Sequence, residues 1–304
     1  MTPNPDDLLV LLAVSRTGRF SSAAAALGVN HTTVSRRIAA LELALGGRVL
    51  VRSVGAWELT ELGSRAILIA QQVEAALAQL EAGSNPDQQF SGVVRLSATD
   101  GFSAYIAAPA VVELQRSHPR LSVEIITVTR RVMQYRSGLD IEIVVGEPQV
   151  HRASAFKLGD YVLGMYASRE YLATHGTPTS VAELTRHPLV YFVDSMLLVD
   201  ALDAPRRLVP QMRDSLSSTN VFVHVEATRS GAGIGFLPAF MANRHEDLVR
   251  LLPADFNELL PYWMVLRPDA LLQPGIAAVA DALRRQTQRR KAELRGEMPP
   301  SEGA

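Results

Sequence analysis

The chain has 304 residues, 47% of them hydrophobic and 20% charged, the range of ordinary globular proteins and enough for two or three compact units. A net charge of -1 excludes a polycation, so any nucleic-acid surface must be a local patch, and the absence of cysteine excludes disulfides, thiolate metal sites and thiol redox sensing. No basic segment leading into an apolar run opens the chain and no stretch approaches the ~18 apolar residues of a membrane span, so a cytoplasmic protein with no membrane partner is expected.

Residues 1–65 hold seven arginines against five acidic side chains, a weak positive excess in an otherwise acidic molecule. Lys157 and Lys291 are the only lysines among 30 basic residues. Arginine suits bidentate contact with phosphate and guanine, although codon usage in an alanine-rich chain explains the same bias.

Residues 5–17 carry Leu8, Leu9, Leu12 and Ala13 on one side of a helix, with Asp6 and Asp7 at its positive end and Gly18 as its stop. Ser21 is the expected cap of a second, alanine-rich helix running to about Leu27, and Gly28 supplies the positive φ of a tight turn. A third helix begins at Asn30, with Val34, Ile38, Leu41 and Leu45 spaced 4, 3 and 4 apart facing inward. Its other face starts with His31, Thr32, Thr33, Arg36 and Arg37, side chains that can read base edges in a major groove. Taken alone, such a face is more often that of a merely solvated helix; the turn glycine Gly28 and the packing residues around it favour a helix-turn-helix.

Val49 to Val51 reads as a short strand, and the stretch through Gly55 to Glu58 as a hairpin wing that places Arg48 and Arg52 beside a phosphate backbone. Thr60 caps a long helix in which Leu59, Leu62, Ala66, Ile69, Val73, Ala76 and Leu80 alternate at 3 and 4, the pattern of a coiled-coil seam that would pair two chains. The run from Gly83 to Asp87 then breaks the helix as a linker.

Beyond residue 92, strand-like runs at 93–98, 123–128 and 141–145 alternate with a helix around 104–117, the rhythm of a parallel sheet whose ligand crevice lies at the carboxyl ends of its strands. Further runs at 162–167, 189–192, 234–237 and 262–266 indicate two α/β lobes, and a helix over about 274–291 ends in a basic tail read as solvated surface. Thr99, Asp100 and Ser103 follow the first strand, Thr129 and Arg130 the second, and Glu147 the third, so all are candidate ligand contacts. Arg130 or Arg131 would pair with a carboxylate, whereas Asp100 and Glu147 disfavour an anion, and both options stay open.

In order and spacing, Asp7-Leu8, Gly18-Arg19-Phe20-Ser21-Ser22-Ala23-Ala24, Val34-Ser35-Arg36-Arg37-Ile38, Leu50-Val51-Arg52 and Leu59-Thr60-Glu61-Leu62-Gly63 resemble the N-terminal signature of LysR-type transcription regulators. Weaker similarities continue through Val94-Arg95-Leu96, His118-Pro119, Leu139-Asp140-Ile141 and the run from Gly231 to Pro238, so the resemblance covers nearly the whole chain. It implies an α/β molecule: a winged helix-turn-helix over 1–59, a linker and dimerisation helix with hinge over 60–89, and a periplasmic-binding-protein-like effector domain over 90–304. Lobe I would take residues 90–160 and 267–291 and lobe II residues 161–266, with crossing strands near 158–162 and 264–268. The implied partners are double-stranded DNA, a small-molecule effector in the cleft and a second copy through the linker helix, with a tetramer as the final assembly.

By the same resemblance Ser35 and Arg36 contact DNA, Arg52 is the wing arginine, and Thr219 and Asn220 mark a ligand-facing helix start. His31 and Thr32 stand where Gln and Pro are frequent and Arg37 where Gln is frequent, so the resemblance does not carry the family's usual operator sequence over to this chain. The 129–139 stretch is shorter than in typical members, which bears on one pocket wall.

An enzyme is the competing class. The glycines at 231, 233 and 235 precede their apolar strand rather than follow it, unlike a dinucleotide loop, and the seven histidines are scattered without metal-ligand spacing. No catalytic residue, metal or cofactor is therefore expected. An architectural DNA-binding protein is a second alternative, disfavoured by the large α/β portion.

Overall fold

The computed structural model describes residues 2–53, 56–82, 92–127, 139–149, 153–193, 200–267 and 269–297. Helix α1 (Pro5–Thr17) starts where the Asn4 side chain accepts from the Asp6 amide at 3.0 Å, and stops at Gly18 in the left-handed region. Helix α2 (Phe20–Ala26) begins one residue before the expected Ser21 cap, with extended Arg19 ahead of it. The Phe20 ring stacks on Trp57 at 4.9 Å, and this anchor rather than a hydroxyl cap marks the helix entry. Gly28, at φ 64°, then makes the turn into α3 (His31–Leu45).

Strands β1 (Leu50–Ser53) and β2 (Ala56–Leu59) form an antiparallel hairpin, tied to the α1–α2 turn by the Trp57 amide donating to the Gly18 carbonyl at 3.0 Å. The Thr60 hydroxyl accepts from the Gly63 amide at 3.0 Å and so caps α4 (Glu61–Ala82). A Cβ at Gly63 would collide with the Val49 carbonyl oxygen, so only glycine lets α4 pass the strand this closely. Leu11 and Leu12 of α1, Val34 and Leu41 of α3 and Ile67 and Ala70 of α4 are essentially solvent-free. Each such aliphatic side chain larger than alanine contributes about 1.5–3 kcal/mol by leaving water.

The expected seam along α4 divides. Ala66 is buried and Leu59, Leu62 and Val73 pack on this same-chain core, while Ile69 and Ala76 remain exposed; the Leu80 side chain lies outside the described residues. The most buried positions, Ile67 and Ala70, fall outside the seven-residue repeat. A straight helix of 3.6 residues per turn packs a wider stripe than a strict heptad, and α1 takes most of it. The Arg16 guanidinium locks α1 to α4 with two 2.6 Å hydrogen bonds to the Glu74 carboxylate.

The second part of the chain is a mixed sheet. Its first elements are β3 (Gly92–Ala98), α5 (Asp100–Phe102), a π-helical turn (Ser103–Ala107), α6 (Ala108–Ser117), β4 (Leu121–Thr127) and β5 (Ile141–Val145). A long strand β6 (Ser154–Ser168) leads to α7 (Arg169–His175), β7 (Leu189–Phe192), α8 (Ala204–Leu208), β8 (Asp214–Ser218) and α9 (Val221–Arg229). Then come β9 (Ile234–Pro238), α10 (Ala239–Ala242), β10 (Leu248–Leu251), β11 (Glu258–Leu266), α11 (Pro274–Arg289) and α12 (Lys291–Leu294).

The strand order is β4-β3-β5-β11-β6-β9-β7-β8, with β10 also on β6. The outer groups β4-β3-β5 and β9-β7-β8 are parallel, the two lobes inferred from the alternation of strands and helices. The long antiparallel pair β6 and β11 joins them, paired from Glu258↔Leu163 to Leu266↔Ser154 with one register shift between Tyr262 and Trp263, so β6 runs past the expected 158–162 at both ends and β11 starts well before the expected 264 and ends at Leu266. Two compact units divide between residues 90 and 91, with described residues near 139–140 and 269–277 grouped with the first.

Candidate functional site

The polar start of α3 is built by its cap. The Asn30 Oδ1 accepts from the Thr33 amide at 2.8 Å and from the Thr32 and Thr33 hydroxyls, each at 2.7 Å, fixing both threonines at the helix mouth. Val34, Ile38 and Leu41 are buried beneath, while His31, Thr32, Ser35 and Arg36 are exposed on the opposite side and Thr33 is half-buried. The His31 ring lies 5.7 Å from that of Phe20, which itself stacks on Trp57, so one aromatic cluster links α3 to the β1–β2 hairpin. Arg52 is exposed on β1 opposite Trp57. The cluster thus sets the polar mouth of α3 beside the hairpin.

Arg37 behaves differently from the exposed face with which its sequence position groups it. Its guanidinium turns to α1, 3.3 Å from the Asp6 carboxylate and 3.2 Å from that of Asp7, the latter buried. The charge that helps the N-terminus of α1 is also the one that draws Arg37 away from the polar mouth of α3.

In the second unit a small cavity of about 30 Å³ lies between the lobes, room for a water or two. Its wall is drawn from the ends of β3, β5, β7 and β9, the start of α9 and the crossing strands. Tyr161, Phe192, Phe236 and Tyr262 are its aromatic part, Val145, Leu163, Leu202, Val221 and Pro238 its aliphatic part, and Thr99 and Asp100 its polar corner with the Gly101 backbone. Tyr161 and Tyr262 stack at 4.6 Å, and burial pushes both phenols above their ordinary range while Thr99 bonds the Tyr262 hydroxyl. A Cβ at Gly101 would lie 2.8 Å from the Met241 sulfur, which is how closely α5 approaches α10 across the cleft. The Arg244 guanidinium sits 4.4 Å over the Tyr105 ring and closes the same seam.

Of the effector contacts expected from sequence, Thr99 and Asp100 line this cavity. Ser103 is buried one turn on, at the start of the π-helical turn, and its hydroxyl has no hydrogen-bond partner among the described residues. Such turns recur at functional sites. Glu147 and Thr219 are exposed and lie outside the wall. Asn220 is a cap, its Oδ1 accepting from the Phe222 amide at 2.8 Å, and the next residue, Val221, reaches the cavity instead. Thr129, Arg130 and the rest of the 129–138 stretch lie outside the described residues. The aromatic wall was not foreseen, because Tyr161, Phe192, Phe236 and Tyr262 sit in apolar strand runs that read as ordinary core.

No helix of the described residues is long and apolar enough to cross a membrane, and among those residues no His, Cys, Asp and Glu cluster could hold a metal. Residues 5–64 match the family model for bacterial regulatory helix-turn-helix proteins of the lysR family, and residues 87–288 match the LysR substrate binding domain. The transcriptional regulator CrgA of Neisseria meningitidis serogroup C (strain 8013) is 28% identical over 262 residues, which cover 83% of this chain and 85% of CrgA. The regulator DmlR of Escherichia coli (strain K12) is 31% identical over 187 residues, 61% of each chain. Among solved structures, CrgA superposes with a TM-score of 0.58 at 24% identity, covering 93% of this chain and 99% of that one. ArgP of Mycobacterium tuberculosis gives 0.73 at 19% identity, over 94% and 98%.

Proposed function

The chain belongs to the LysR-type family and is a DNA-binding, effector-responsive transcription regulator rather than an enzyme, and from that premise we propose how its own residues read DNA and sense a ligand. His31, Thr32, Thr33, Ser35 and Arg36 face the major groove, with Arg52 of the wing on the flanking phosphates. Arg37 acts indirectly, holding α3 against α1 through Asp6 and Asp7. The observation that carries this reading is the capped polar mouth of α3, exposed above a solvent-free aliphatic stripe. A helix with that division offers its donors to base edges without disturbing its own packing.

The effector occupies the cavity between the lobes. Its described wall fits a compact apolar body with one hydrogen-bonding group directed to Thr99, Asp100 and Ser103. Because about 30 Å³ holds no metabolite, binding requires the lobes to part, and the ligand then stabilises the parted state by its differential affinity. Two chains pair through the exposed side of α4 around Ile69 and Ala76, a tetramer follows by likeness to the family, and the site of action is the cytoplasm.

Binding to operator and to unrelated DNA, each titrated with salt, tests the DNA-reading part. Arg36→Ala should cost about 1–3 kcal/mol on the operator and little on unrelated DNA if it reads a guanine edge. Arg52→Ala should weaken both and flatten the salt dependence by about one counterion. Unchanged operator affinity in the Arg36 variant would refute the recognition face.

A further inference from the structure

A second cavity, of about 210 Å³, opens between crossing strand β6 and the C-terminal helices α11 and α12, and shares no wall residue with the inter-lobe cavity. Both lysines of the chain, Lys157 and Lys291, line it, together with Arg295. In a sequence that uses arginine nearly everywhere else, two compact three-donor point charges meet at one place.

The donors there are underused. The Arg295 Nε is buried without a hydrogen-bond partner among the described residues, and its guanidinium reaches only 3.6 Å to Asp160 and 3.8 Å to Glu297. A buried N–H left in that condition is costly unless something supplies the acceptor. Lys291 has no ion pair among the described residues. Lys157 does, at 2.7 Å to Asp160, so this one carboxylate spaces two cations, and three positive groups face two negative ones.

The backbone is also shaped around the cavity. The β6–β11 register slips between Tyr262 and Trp263, leaving Leu158 as an extra residue in β6 beside Lys157. Bulges of this kind re-aim the neighbouring side chains. The Leu158 carbonyl accepts from the Gln288 Nε2 at 3.0 Å, which binds α11 to the bulged strand.

We propose that this cavity at the joint of the two lobes is a binding site for a small oxyanion, a phosphate or a phosphomonoester, held by Lys157, Lys291 and Arg295. Such a ligand would pair with the two lysines and the accessible part of the Arg295 guanidinium, and join the C-terminal helices to the crossing strand. It does not depend on the identity of the inter-lobe effector.

Calorimetric titration of the full-length protein at constant ionic strength, with inorganic phosphate and separately with glycerol 3-phosphate, tests it. Saturable binding of either is expected, weakened about tenfold or more by Lys157→Ala with Lys291→Ala, and retained by Lys291→Arg. Both lysines are exposed, so the double variant should keep its fold; Arg295→Gln, read separately, should weaken binding in the same direction. Tighter binding of the ester marks an organic phosphate as the source, and tighter binding of phosphate the free ion. No binding of either at about 10 mM, or binding that the double variant leaves intact, would overturn the site.

Discussion

Glu142 lies on β5 opposite Ser97 of β3 and Val265 of β11, and burial pushes its carboxyl up to about 7 from an ordinary 4.5. The folded chain therefore holds this proton more tightly than the unfolded one. Its contribution to stability is complete below about 4.5 and is lost as pH rises through 7, where a charge must sit in the sheet. Glu142→Gln should leave the melting temperature unchanged near the ordinary carboxylate range and raise it in alkaline buffer, by up to roughly 3 kcal/mol of stability. Melting curves at the two pH values check this, and an equal gain at both would exclude the charge as the cause. At this scale the sequence is legible only where a side chain acts on its own neighbours: Asn30 could be read as a cap, Arg37 could not be read as the partner of Asp6 and Asp7, about 30 residues away.

Among elements, α4 separates what a pattern shows from what a fold uses. Its heptad suggested one seam, yet Ala66 is buried against the same chain and Ile69 and Ala76 are exposed. Ile69→Glu with Ala76→Glu should thus give a folded monomer, whereas Ala66→Glu would bury a charge in the head and unfold it, a loss of several kcal/mol. Sedimentation velocity with circular dichroism distinguishes the two, and an unchanged oligomer in the Ile69 and Ala76 variant would move the interface elsewhere. Strands show the same division. The ends of β5 and β7 coincide with their apolar runs, while β8, Asp214–Ser218, has no apolar alternation because it is a polar edge strand beside β7. The inter-lobe cavity was hidden for a related reason: its wall comes from eight separated segments, and only the polar strand ends at Thr99 and Asp100 announced it.

For the whole molecule, the head keeps a core of its own, drawn from residues 8 to 73. The second unit is centred instead on the crossing pair β6 and β11, whose Tyr161, Met165, Tyr262 and Met264 are buried in it. Among the described residues the head's buried aliphatic cluster is drawn from its own helices and hairpin, so the head should melt as its own cooperative unit. Leu41→Ala places the test in the head, because that side chain is fully enclosed in the aliphatic core and its removal leaves a void the neighbouring backbone cannot fill. Calorimetry should then show the head transition destabilised by about 2–5 kcal/mol and the second transition at its original temperature. A single transition that shifts as one would mean the two units fold as one.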